Sequence, residues 1–176
     1  MFYAAVYPVL RRGDTMSKVL TIGEAMGLLI ATETGSLEQV QQFTRHVCGA
    51  ELNYAVGMAR LGNDVSYISK VGCDPFGKCI CNFLRENGIH DTYVWTDVDH
   101  MTGFQMKEKV LEGDPTVANI RKHTAFSHFQ PRDLGGIDWT GVDHLHVTGI
   151  PLALSESCRE TIYTLMKKAH SEGVRI

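Results

Sequence analysis

Short apolar segments that end at or near glycine alternate along this chain with segments of helical periodicity. Val19–Gly23 is an apolar run that predicts a buried strand. Helical spacing follows over Ala50–Leu61, with Gly62 as its stop. Strand patterns return over Val65–Val71 and Leu145–Ile150. Such an order packs as a mostly parallel sheet with helices on its faces, so the chain is predicted to have an α/β fold.

Two further helices and two polar segments complete this order. Asp74 and Pro75 are a cap and a first-turn residue for a second helix, and Ser155 caps a third. Thr32–Val47 is polar and alternating, and Ile89–His123 holds several strand-like runs separated by turn residues. The two polar segments predict a small β lobe beside the parallel sheet.

Composition excludes several classes of function. The chain has 176 residues, a net charge of -3 and a sequence pI near 6.2, which does not favour binding to nucleic acid or to an anionic membrane. No apolar run approaches the roughly 20 residues of a membrane span. Five scattered cysteines predict reduced thiols and a cytoplasmic protein.

The two ends of the chain differ from the rest. Residues 1–15 combine an apolar start with Arg11 and Arg12, the reverse of a signal peptide, and are predicted to be a disordered extension ahead of Met16. The last four residues, GVRI, have the pattern of a strand that opens after a helix stop. The chain is therefore expected to be a truncated, N-terminal part of a domain that begins at residue 16.

Two features imitate functional sites. Gly72–Cys79 fits the spacing of a phosphate-binding P-loop, but Cys79 replaces the hydroxyl residue and Asp74 would place a negative charge in the cradle. His144 and His146 share a strand face without a third metal ligand nearby. We expect structural roles for all of these residues and no metal site.

Two glycine turns are better candidates. Gly23–Met26 follows the first strand, and Cys48–Asn53 opens the first helix. Glycine permits close approach to the backbone, a helix N-terminus supplies free N–H donors, and the Asn53 amide both donates and accepts. This combination suits a hydroxyl-rich or carboxylate ligand.

Several motifs together resemble one enzyme family. GEAM, CGAELNYAVGMARLG, VSYISKVGCDPFG, LRENGI, TGF and HVTGIPLALSE follow each other in the order typical of the ribokinase-like (phosphofructokinase-B type) carbohydrate kinases. The resemblance extends over Lys18–Ile176. Within the family, GEAM, GAELN and TGIPLALSES are most similar to the 2-keto-3-deoxygluconate kinase branch.

The resemblance implies an activity and an architecture. The family transfers the γ-phosphoryl group of ATP to a sugar hydroxyl with the help of Mg²⁺. Its parallel sheet carries a β lid that closes over the sugar and often forms a homodimer interface. In this chain the lid is expected from about 32–47 and 92–122.

The resemblance also implies a set of sugar-binding residues. The sugar-contacting turn falls on Gly49, Ala50 and Asn53, and the lid contacts fall on four further residues: Gln105, Lys107, Asn119 and Arg121. Arg121 is the best candidate to pair with a sugar-acid carboxylate, because its planar fork can bind both oxygens.

At several positions the sequence differs from the family pattern, and these differences leave alternatives to a keto-deoxygluconate kinase. Cys48 replaces the first residue of a Gly-Gly pair, Gln105 and Asn119 stand where tyrosines are usual in keto-deoxygluconate kinases, and Leu28 replaces an aspartate of fructokinase-type members. A fructokinase, a nucleoside kinase of the same fold and a non-catalytic sugar-binding module remain alternatives.

One family motif is absent from the sequence. The D-T-x-G-A-G-D segment carries the family's nucleotide site and catalytic aspartate, and it does not occur in these 176 residues. No catalytic residue, ATP site or Mg²⁺ site is therefore expected in this chain, and the chain alone is expected to be inactive.

Overall fold

A computed structural model describes residues 16–176, so the prediction for residues 1–15 lies outside the described part. A four-stranded parallel sheet forms its centre, in the order β5-β4-β1-β8. Its strands are β1 (Lys18–Ile22), β4 (Asp64–Gly72), β5 (His90–Asp97) and β8 (Val142–His146). The helices are α1 (Ala50–Arg60), α2 (Pro75–Glu86), α3 (Gly149–Leu154) and α4 (Glu156–Ser171). The α/β architecture expected from the alternating pattern is confirmed.

Both faces of this sheet are covered, which explains its apolar strands. Leu20 and Ile22 of β1 belong to a core that contains α4, whereas Val19 belongs to a second core that contains α1 and α2. Because successive strand residues point to opposite faces, β1 contributes to both cores at once. The central strand is fully buried from Val19 to Ile22.

A second four-stranded sheet, in the order β3-β2-β6-β7, is assembled from two separate parts of the chain. Its strands are β2 (Met26–Thr34), β3 (Phe43–Cys48), β6 (Phe104–Lys109) and β7 (Val117–Ile120). Phe76 of α2 packs against Phe104 and fills the space over Gly27, where an added Cβ would lie 2.2 Å from the Phe76 ring. The second sheet is thereby fixed against the helical layer.

Local capping chemistry explains where two helices begin. The Asp74 carboxylate accepts hydrogen bonds from the backbone N–H groups of Gly77 (2.8 Å) and Thr102 (2.7 Å). Asp74 therefore caps α2 and also ties it to the segment before β6. Ser155 caps α4 by accepting from the Cys158 N–H. The segment Gly72–Cys79, which fits the spacing of a P-loop, thus contains the start of α2, as expected.

Three boundaries differ from the sequence expectations. Residues 26–34 form β2, whereas the alternating pattern predicts a start at residue 32. The strand predicted over Leu145–Ile150 ends at His146, because Thr148 caps the short helix α3. Residues 92–97 belong to β5 of the parallel sheet, so the expected lid segment has its strands only from Phe104 onward.

The last residues of the chain pair with the central sheet. Arg175 forms a parallel bridge with His144, and its backbone exchanges hydrogen bonds with Asp143 and Leu145. The strand opening predicted for GVRI is confirmed. None of the helices within residues 16–176 is both long and apolar enough to cross a membrane.

Candidate functional site

The two glycine turns singled out in the sequence lie against each other. Gly49 precedes α1 with φ 153°, a conformation that favours glycine, and an added Cβ would lie 2.9 Å from the Glu24 carbonyl oxygen. Gly23 leaves space for Glu51, whose carboxylate would be 2.3 Å from a Cβ at that position. The fold therefore joins the β1–β2 turn and the start of α1 into one closely packed junction.

Glu24 is the charged residue at the centre of this junction. Its side chain is 1% exposed, and its Oε2 accepts from both Nε (2.8 Å) and Nη2 (2.5 Å) of Arg121. Its Oε1 accepts from the buried Thr124 hydroxyl at 2.9 Å. Both carboxylate oxygens are thus bound by the segment that follows β7.

Arg121 retains donors that Glu24 does not use. A guanidinium has five N–H groups, and the contact with Glu24 uses the edge formed by Nε and Nη2. The opposite edge, formed by Nη1 and Nη2, is geometrically able to bind a second carboxylate. The Arg121 side chain is 27% exposed, so an entering ligand can reach it.

Arg121 lines a cleft of about 450 Å³. The ionisable side chains that line it are all basic: Arg121, Lys122, His123 and His128. Ser155 and Ser157, at the start of α4, also line the cleft. This lining favours an anionic ligand with hydroxyl groups.

The strand register brings most of the expected lid residues together. Gln105 pairs with Asn119 on β7 and with Leu28 on β2, so these three side chains share one face of the second sheet. Arg121 follows Asn119 by two residues. Lys107 pairs with Val117 and Ile30, one step farther from Arg121 along the strand, and no polar contact joins it to Arg121 within residues 16–176.

The helix-start residues of the expected site are accessible. Ala50 is the first residue of α1, and the Asn53 side chain is exposed one turn later. The Gln105 amide donates to the Cys48 sulfur, so the cysteine that replaces the first glycine contacts β6 of the second sheet. The residues that the resemblance implies for the site thus lie at the start of α1, on the second sheet and just after β7.

Glu51 and His146 have structural partners that the sequence did not reveal. The Glu51 carboxylate is 1% exposed and accepts from the Thr148 hydroxyl, which links α1 to the start of α3. His146 lies 2.9 Å from the Thr21 hydroxyl and stacks on Tyr54 with ring centroids 3.7 Å apart. No group of three or more potential metal ligands occurs within residues 16–176.

The burial of this junction shifts several pKa values. Burial raises the pKa of Glu24, against the opposing effects of the Arg121 charge and the hydrogen bonds from Thr124 and Arg121. Burial also raises the pKa of the Cys48 thiol and, with the nearby charges of Glu51 and Glu24, raises that of the Tyr67 hydroxyl. The Cys48 and Tyr67 side chains therefore remain protonated and uncharged at neutral pH.

Asp97 contacts His100, whose ring stacks on the cleft residue His128, and its pKa moves in the opposite direction. Burial opposes its ionisation, but hydrogen bonds from Asp99 and His100 and the Lys70 charge together lower the pKa of Asp97 to about 2. Asp97 Oδ2 lies 3.1 Å from His100 Nδ1, and the His100 ring stacks on His128 at 3.6 Å. The carboxylate thus positions one wall of the cleft.

Replacing Asp97 by asparagine is expected to destabilise the protein by about 2 kcal/mol at neutral pH. The reason is that each unit by which folding lowers the pKa of Asp97 stabilises the folded state by about 1.4 kcal/mol. The pKa is lower in the folded state, so the stabilisation is present above the unfolded value near 3.8 and is lost as the pH falls through about 2. Urea unfolding of both proteins at several pH values measures this difference. Asp99→Asn, at an exposed neighbour, is the control and should change the free energy of unfolding by less than about 0.5 kcal/mol. An equal effect of both substitutions would contradict the assignment.

The chain belongs to the pfkB family carbohydrate kinases, whose family profile matches residues 16–175. A 2-dehydro-3-deoxygluconokinase of Bacillus subtilis is 38% identical over 158 residues, which are 89% of this chain and 49% of that protein. A solved PfkB protein of Polaromonas has a TM-score of 0.85 and 36% identity, covering 90% of this chain and 53% of its own. The ribokinase-like fold is therefore established.

A third relative was solved with a nucleotide. A sugar kinase of Pyrococcus horikoshii in complex with ATP has a TM-score of 0.75 and 32% identity, covering 86% of this chain and 49% of its own. The present chain spans about half the length of the relatives that it matches.

Residues 16–176, the part of the chain that the structure describes, offer no site that fits ATP or Mg²⁺. The D-T-x-G-A-G-D motif that the family resemblance associates with the nucleotide is absent from the sequence. The P-loop imitation is occupied by the Asp74 cap, and the described residues 16–176 hold no cluster suited to a metal ion. We therefore assign no step of phosphoryl transfer to this chain.

Proposed function

We propose that the full-length protein is an ATP-dependent kinase of sugar acids, with 2-dehydro-3-deoxygluconate (2-keto-3-deoxygluconate) as its preferred substrate. The observation that carries this proposal is that Arg121, whose contact with Glu24 uses only the Nε–Nη2 edge, lines a cleft whose ionisable lining is basic. The resemblance to the Bacillus subtilis 2-dehydro-3-deoxygluconokinase supports the same substrate.

In this proposal the described residues bind and orient the sugar. The N–H groups at the start of α1, beside Gly49 and Ala50, donate to sugar oxygens, and the Asn53 amide contacts a hydroxyl. Arg121 pairs with the carboxylate, and Gln105 and Asn119 cover the sugar from the second sheet. Lys107 adds positive charge farther along β6.

Phosphoryl transfer also needs a nucleotide site and a base that accepts the hydroxyl proton. The family motif associated with both is absent from these 176 residues, so we propose that residues 1–176 alone do not phosphorylate any sugar. The full-length protein should release ADP when given ATP, Mg²⁺ and the keto-deoxy acid, whereas residues 1–176 should not.

Fructose and nucleosides are the competing substrates. Leu28 lies beside Gln105 on the lid face, where an apolar side chain cannot accept a hydrogen bond from a neutral hexose. A nucleoside has no carboxylate to pair with Arg121. Both features favour the acid sugar, and a non-catalytic binding module would bind it without ADP release. Equal turnover of fructose and the keto-deoxy acid by the full-length protein would refute the proposed specificity.

A further inference from the structure

We propose that Glu24 is a positioning residue for acid-sugar recognition, which holds Arg121 with its Nη1–Nη2 edge free for the substrate carboxylate. This inference rests on the proposed function, because it assumes that Arg121 binds the acid. It adds a role for a buried side chain that contacts no ligand itself.

The geometry of the ion pair supports this role. Nε and Nη2 of Arg121 both donate to one oxygen of Glu24, at 2.8 and 2.5 Å. Two donors on one acceptor define the rotation of the planar guanidinium as well as its distance. An arginine without this partner would move among many rotamers and would lose conformational entropy when the ligand bound.

Glu24 is itself held rigidly. The buried Thr124 hydroxyl donates to its other oxygen, and Gly103 packs so closely that an added Cβ would lie 2.7 Å from Oε1. The Glu24 carbonyl oxygen packs against Gly49 at the helix-start turn. One residue therefore contacts both parts of the proposed site, the start of α1 through its backbone and the segment after β7 through its side chain.

The chain offers a matched pair of substitutions at this position. Methionine has about the length of glutamate but cannot accept a strong hydrogen bond, whereas glutamine keeps an acceptor oxygen. In the full-length protein, Glu24→Met is expected to raise KM for 2-keto-3-deoxygluconate by about 10- to 100-fold, the value of a lost hydrogen bond to a charged group. The effect should fall on KM rather than kcat and should be larger for the acid than for fructose. Glu24→Gln should recover most of the loss.

A double substitution separates positioning from a general structural role. If Glu24 acts through Arg121, then Glu24→Met combined with Arg121→Ala should have the same KM for the acid as Arg121→Ala alone. The inference would be overturned if the effects of the two substitutions on KM for the acid added in the double variant. It would also be overturned if Glu24→Met raised KM for fructose and for the acid equally. If Arg121→Ala itself leaves the acid preference unchanged, the proposed function fails at Arg121 and the role of Glu24 fails with it. If Glu24→Met leaves KM for the acid unchanged while Arg121→Ala lowers the acid preference, only the role of Glu24 is refuted.

Thr124→Val tests the same contact if Glu24→Met does not fold. Valine matches the shape of threonine but removes the hydroxyl that holds Glu24 Oε1. We expect a rise in KM for the acid in the same direction and of smaller size. A Thr124→Val variant with unchanged KM for the acid would count against the positioning role.

Discussion

Replacing Arg121 by alanine in the full-length protein is expected to lower its preference for a sugar acid over a neutral sugar by about 2–5 kcal/mol, or about 30- to 5,000-fold in the ratio of kcat/KM values. The physical reason is the loss of a charged, forked donor beside the substrate carboxylate. Steady-state kinetics with 2-keto-3-deoxygluconate and fructose measure the ratio.

Two controls accompany the Arg121 substitution. Removing Arg121 also leaves the buried Glu24 carboxylate unpaired, so the free energy of unfolding must be measured alongside the kinetics. Because both sugars experience the same loss of stability, the ratio of their kcat/KM values isolates recognition. Lys122→Ala removes an exposed basic residue from the same cleft and should change the ratio far less. An unchanged ratio in Arg121→Ala would remove Arg121 from the site.

Replacing Gly49 by alanine is expected to destabilise the protein by about 1–3 kcal/mol, the cost of holding a non-glycine residue in an unfavourable backbone region. The φ of 153° is one cause, and the 2.9 Å approach of the new Cβ to the Glu24 carbonyl is the other. The new Cβ also forces the turn to shift, and this shift should raise KM for the sugar, because Gly49 precedes the N–H donors of α1.

Gly57 provides a control within the same helix. It lies in the interior of α1, and an added Cβ there meets no atom within 4 Å. Gly57→Ala should therefore stabilise the protein by about 0.5–1 kcal/mol through the better helix propensity of alanine. Urea unfolding of both variants gives the comparison. A Gly49→Ala variant as stable as Gly57→Ala would show that the turn is not constrained.

Elements bounded by capping residues were predictable from the sequence. Asp74 and Ser155 begin their helices where expected, because cap chemistry acts within three residues. The first part of β2, residues 26–31, is not predicted by the alternating pattern, since Gly27 interrupts that pattern. β8 ends at His146 because Thr148 caps α3. The apolar pattern of residues 145–150 predicts a longer strand and does not reveal this cap.

The sequence names candidate site residues, but it does not reveal the contacts among them. Gly49 and Arg121 were identified from turn chemistry and from the family resemblance, respectively. The contact between Glu24 and Arg121 joins residues 97 positions apart, and its existence depends on the register of the second sheet. A buried carboxylate after a strand is the signal that points to such a partner, because burial of an unpaired charge is costly.

Phosphorylation by the full-length protein decides whether this site serves an acid sugar. ADP release is to be measured with ATP and Mg²⁺ across 2-keto-3-deoxygluconate, fructose and a nucleoside, each at several concentrations. We predict the highest kcat/KM for the keto-deoxy acid and none of this activity in residues 1–176 alone. A full-length protein that turns over fructose or the nucleoside more efficiently than the acid, or that releases no ADP with any of them, would contradict the proposed function.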